Sequence, residues 1–150
     1  MPTKSAAKSS KVISDIEKEA LRETIRERKA QSRRRPGDER AEGEAEVQAK
    51  IAELVPEERA MAKRIHELVT RAAPSLVPRT YYGMPAYAKD GKVICFFQAK
   101  SKFKVRYSTF GFQPDASLDD GAMWPVAFAV TKLTTADEKR ISELVKKAVG

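Results

Sequence analysis

The chain has 150 residues, enough to bury one hydrophobic core without disulfides or a structural metal. Hydrophobic residues make up 41% and charged residues 33%, with a formal net charge of +8, which favours an anionic partner such as nucleic acid. Cys95 is the only cysteine, which rules out an intrachain disulfide and a cysteine-based zinc site. With no run approaching the ~18 apolar residues of a membrane span and no apolar signal core, a reducing, cytoplasmic setting without membrane contact is expected.

Residues 1–11 carry Lys4, Lys8 and Lys11 among Ser and Ala and offer little to a core, so a disordered basic tail is predicted. A charged helical extension is predicted over 12–55. From Ser14 to Ala30, Asp15, Glu19, Glu23 and Glu27 recur every four residues, and Lys18, Arg22 and Arg26 follow three after the first three acids. Such rows pair along a helix. The apolar positions Ile13, Ile16, Ala20, Leu21 and Ile25 form a thin stripe, so the helix is read as solvated or loosely docked. Arg33, Arg34 and Arg35, then Pro36 and Gly37, open a linker near 33–43. Val47, Ile51, Leu54 and Val55 then mark a second helical piece that ends at Pro56.

Residues 56–150 read as the folded domain. Pro56, Glu57 and Glu58 start a helix whose apolar face is Met61, Ile65, Leu68, Val69 and Ala72, and Pro74 stops it. Tyr81 to Ala88 and Lys92 to Gln98 read as strands joined by a hairpin at Asp90-Gly91. Lys102 to Tyr107 alternate, which predicts a strand with Phe103, Val105 and Tyr107 facing inward. Val126 to Val130 is a further strand. Thr135 with Glu138 makes a capping box for a last helix that buries Ile141, Leu144, Val145 and Ala148. The fold class is α+β: an antiparallel sheet of about five strands with N- and C-terminal helices packed on one face, preceded by the charged extension.

The segment Tyr82-Gly83-Met84-Pro85-Ala86-Tyr87, followed by Gly91-Lys92-Val93-Ile94-Cys95-Phe96-Phe97, resembles the small, largely uncharacterised bacterial family typified by the YdhG protein, over residues 57–149. That resemblance implies a frataxin-like layout and a possible role in iron delivery. Frataxin-type iron binding uses clustered carboxylates. The opening helix here instead sets Lys63, Arg64 and Arg71 against Glu57, Glu58 and Glu67, so no iron ligand is carried over from the family and no other cofactor is implied.

Three candidate sites follow. On a strand, Lys102, Lys104 and Arg106 would stand ~6.6 Å apart, near the spacing of phosphates in a single strand. The plainer reading is a polar outer face that discourages edge pairing. Tyr82, Met84, Tyr87 and Trp124 could line a small pocket, although packing explains them as well. Asp115, Asp119, Asp120, Asp137 and Glu138 are the one place for a hard cation, yet turn and helix-start chemistry accounts for them. His66 is read as a surface or boundary residue. No phosphate-binding glycine loop, nucleophile motif or paired-histidine motif occurs, so no catalytic residue is assigned and no enzyme is expected. The function expected is a non-catalytic binding or accessory domain, with iron handling implied by resemblance. The alternatives are a basic nucleic-acid module and a protein-interaction module that works, or self-associates, through residues 12–30.

Overall fold

The computed structural model describes the backbone of residues 4–35 and 37–150, and the side chains from residue 15 onward apart from Pro36. Three helices, α1 (Lys4–Arg33), α2 (Glu39–Ala52) and α3 (Pro56–Ala72), precede the sheet. Strands β1 (Val77–Tyr81), β2 (Met84–Lys89) and β3 (Lys92–Gln98) follow, then the short helix α4 (Lys100–Phe103). Strands β4 (Ser108–Phe112) and β5 (Ala127–Val130) and helix α5 (Thr135–Val149) complete the chain. The five strands lie side by side in sequence order, every pair antiparallel, so the fold is α+β with helices before and after an open sheet.

Directly opposed residues share a sheet face. Tyr87, Cys95 and Phe112 form one such row, and Phe97, Phe110 and Phe128 form another. These side chains meet Val47 and Ile51 of α2, Ile65, Leu68 and Val69 of α3, and Ile141 and Val145 of α5 in a single core. The expected apolar spacing of α3 and α5 therefore does what it predicts. The opposite face carries the row Arg79, Ala86, Phe96, Gly111 and Ala127. The Phe96 ring lies so close over Gly111 that any Cβ there would overlap it.

Several boundaries differ from the sequence reading. Helix α1 begins at Lys4, so it takes in residues 4–11 of the expected tail, while residues 1–3 lie outside the described residues. Ala and Lys in that stretch are good helix formers continuous with the charged repeat. The connection between α1 and α2 is short, and α2 already starts at Glu39. Gly43 sits inside α2, buried, because the helix backbone approaches the Pro78 carbonyl of β1 more closely than a Cβ would allow. Tyr81 to Ala88 is not one strand. Tyr82 and Gly83, with φ of 50° and 77°, form a two-residue turn between β1 and β2. The second hairpin turns at Asp90-Gly91 as expected, with φ of 51° and 78°.

The largest departure is at Lys102 to Tyr107. Gln98 pairs with Thr109, so residues 99–107 must link two adjacent antiparallel strands and cannot themselves be one. The link opens with α4 and turns at Lys104, whose φ is 52°. Val105 and Tyr107, expected in the core, are exposed. The cap of α5 is shifted by one residue. Thr134 and Asp137 bond reciprocally as the capping box, while Glu138 instead pairs with Arg64 of α3. The two overlapping Thr-x-x-acid registers are distinguished by which acid has a tertiary partner.

Candidate anion receptor at the first hairpin

The two-residue turn at Tyr82-Gly83 aims consecutive backbone N–H groups in the same direction, as left-handed turn residues do. Tyr82 N–H donates to Glu27 Oε2 at 3.1 Å and Gly83 N–H to Glu27 Oε1 at 2.7 Å, so both oxygens of one carboxylate are held by the turn. One helical turn earlier, Glu23 accepts from Lys102 Nζ at 3.1 Å, and Lys50 Nζ of α2 lies 3.5 Å away. The Lys102 ammonium also donates to Gly83 O at 3.0 Å, which ties the link after β3 to the hairpin turn. Glu23 and Glu27 retain only 6% and 8% of their exposure. Burying a carboxylate costs several kcal/mol unless charged or N–H partners surround it, and here they do.

Gly83 is required twice over. Its φ lies in the left-handed region, and a Cβ would occupy the space of the Glu23 carboxylate. Lys102 is positioned by α4, whose Ser101 donates its N–H and its hydroxyl to the buried carboxylate of Glu58 at 2.8 and 2.6 Å. Lys100 N–H donates to Ser108 Oγ at 3.1 Å and closes the link onto β4. Beside the receptor, α1 and α4 border a cleft of ≈ 290 Å³ whose walls include Ile16, Ala20, Tyr82, Phe103 and Lys104.

The extension is thus docked by charge. The acids of α1 do not all pair along the helix: Glu19 meets Arg22 and Arg26 at 3.8 and 3.5 Å, whereas Glu23 and Glu27 turn inward. Leu21 and Ile25, from the thin apolar stripe, are left 59% and 49% exposed. The arginine cluster after α1 is also partly engaged, since the Arg34 side chain is buried against Glu42, at 3.1 Å, and Glu46 of α2.

The three cations Lys102, Lys104 and Arg106 do not share a strand face. Lys102 is spent on Glu23 and Gly83, Lys104 caps α4, and the Arg106 guanidinium lies 5.2 Å from the Tyr107 ring centroid. The four aromatic and sulfur side chains do not form one pocket either. Tyr82 borders the cleft by α1, Met84 and Tyr87 alternate to opposite faces of β2, and Trp124 packs beside the core from the connection before β5. Among the loop carboxylates, Asp115 stands 3.8 Å from Lys92, and Asp137 and Glu138 serve the start of α5. Among the described residues no group of three or more His, Cys, Asp or Glu side chains converges to hold a metal.

His66 is buried, not at the surface, because elements distant in sequence close over it. Its Nδ1 lies 2.8 Å from the Tyr87 hydroxyl and its Nε2 lies 2.8 Å from Glu44 of α2. Burial pushes the Tyr87 phenol well above its ordinary value, so it keeps its proton and can donate. In the neutral imidazole tautomer that carries its proton on Nε2, the Nε2–H donates to the Glu44 carboxylate and Nδ1 accepts from Tyr87. This chain of three groups ties α2, α3 and β2 together. No helix among the described residues is long and apolar enough to cross a membrane. No protein-family model, no curated protein and no solved structure matches the chain, so what the receptor does rests on its own geometry.

Proposed function

We propose that the chain is a non-catalytic binding module of the protein-interaction class, whose domain receives a helical segment bearing two carboxylates one turn apart. One observation carries this reading: the domain holds Glu27 on two backbone N–H groups and Glu23 on Lys102, with both acids nearly removed from solvent. Carboxylates at i and i+4 share a helix face, so the two subsites read a spacing as well as a charge. The adjoining cleft, with Phe103 and Tyr82 in its wall, supplies apolar contact for neighbouring side chains of the same helix.

Iron handling rests on the family resemblance alone. An anaerobic titration of ferrous iron, with calcium and zinc as controls, tests it: saturable, iron-selective heat would move the reading toward the loop carboxylates. The nucleic-acid alternative loses the aligned strand face on which it stood, since Lys102 is already paired inside the molecule.

The receptor is tested with the full chain carrying Glu23→Ala and Glu27→Ala, titrated with a labelled peptide of residues 15–33. Alanine preserves helix propensity while it empties both subsites. Saturable binding is expected, and it should disappear when Lys102→Gln is added or when the peptide carries alanine at both glutamates. Equal binding by the alanine peptide would sink the reading.

A further inference from the structure

The receptor atoms and their ligands come from different parts of the chain. Tyr82, Gly83 and Lys102 belong to the folded domain, whereas Glu27 and Glu23 belong to α1, 55, 56 and 79 residues away along the sequence. Nothing in the chemistry of two N–H groups and an ammonium requires the carboxylates to come from the same chain. We infer that α1 is a built-in competitor: it keeps the receptor closed in the intact protein and must swing aside before an acidic helix from another chain can enter. This inference rests on the receptor reading above and names its regulation.

Two features of α1 make it displaceable. Its closest contacts with the domain are polar; Leu21 and Ile25 face solvent and Ile16 and Ala20 are only half-buried at the cleft, so the apolar burial lost on release is modest. Its connection to α2 runs through Gly37, whose φ of 100° is a conformation that side-chain-bearing residues rarely adopt, and a Cβ there would meet no neighbour. The Arg34 ion pairs with Glu42 and Glu46 hold the corner itself, so the released helix stays attached to its pivot.

The cost of competition follows from tethering. A short linker presents its own ligand at an effective concentration on the order of millimolar, so an outside helix that binds the open receptor at ~10 µM would bind the closed one ~100-fold more weakly. Relief of that competition, by modification or capture of α1, would raise the affinity by the same factor.

The experiment compares the intact chain with the Glu23→Ala/Glu27→Ala variant in one titration with the labelled peptide of residues 15–33. The single variant Glu27→Ala is a milder second case, and the thermal melt of each protein serves as a folding control. The expected result is binding at least 10-fold weaker to the intact chain, with the single variant between the two. Backbone amide exchange supplies an independent readout: the Tyr82 and Gly83 amides should exchange faster in either variant and slow again when peptide is added. Equal affinity for intact and variant chains overturns the competitor while leaving the receptor standing. Absence of peptide binding to all three proteins overturns the receptor, and the competitor with it.

Discussion

Helices α1 and α2 pack beside the same edge of the sheet by opposite chemistries. In α2, Gly43, Val47 and Ile51 repeat every four residues, and the helix backbone presses against Pro78 while Val47 and Ile51 are fully buried. In α1 the same four-residue repeat buries Glu23 and Glu27 and leaves Leu21 and Ile25 outside. Burying a Val or Ile side chain gains about 1.5–3 kcal/mol. A buried carboxylate begins from a desolvation penalty, and its partners do little more than offset it. A shared period therefore fixes which side chains face the domain, while their chemistry decides whether the helix stabilises the fold or is merely seated on it.

The contrast can be broken most severely in α2. Ile51→Ala should lower the unfolding free energy by about 2–5 kcal/mol, read as a lower urea midpoint with unchanged slope. Gly43→Val forces α2 away from Pro78 and should cost about 1–3 kcal/mol in the same assay; an unchanged midpoint would mean that the close approach is not needed. Tyr87→Phe leaves the buried His66 Nδ1 without its hydrogen-bond partner and should also cost about 1–3 kcal/mol. In α1, Glu27→Ala should cost no more than about 1–2 kcal/mol in the urea assay, part of the roughly 2.7 kcal/mol that a ~100-fold closure supplies, because the helix lifts off and water takes the freed N–H groups. A loss as large as that of Ile51→Ala would show that α1 belongs to the cooperative core.

The smallest effect is expected at the far end of the chain. Hydrogen bonds with Thr134 hold the Asp137 carboxyl below its ordinary value. Its contribution to stability is therefore present above the unfolded-state value and is lost as pH falls through the lower folded-state value. Asp137→Asn should flatten the acid limb of the stability curve slightly and leave neutral pH little changed. A thermal melt series across the acid range reads the difference.

Where apolar spacing carries the structure, the sequence is legible. The faces of α3 and α5, the Asp90-Gly91 hairpin and the strand Lys92–Gln98 follow from period and turn chemistry alone. The alternation from Lys102 to Tyr107 misleads because a period-two pattern says nothing about where the chain must reverse, and the pairing of Gln98 with Thr109 leaves that stretch as the link. The receptor could be read only in part. Glu19, Glu23 and Glu27 look alike in sequence, and which two turn inward depends on the turn at Tyr82-Gly83 and on Lys102, more than fifty residues away. His66 has no partner nearby in sequence, since Glu44 and Tyr87 arrive from either side of it in the fold. One signal was available in advance: Tyr-Gly between two β-prone runs is a candidate turn, and reading it so would have divided Tyr81 to Ala88 correctly.

Cys95 stands on the central strand of the sheet, fully buried between Tyr87 and Phe112 in their shared cross-strand row, with its thiol pushed up by the loss of water around it. As the sole cysteine it makes the molecule its own clock. A thiol-reactive dye can label the chain only when the sheet itself comes apart, and never when α1 alone swings out. The rate of labelling thus counts global openings one at a time, without any engineered probe, and separates them from the local movement of the N-terminal helix in a single tube.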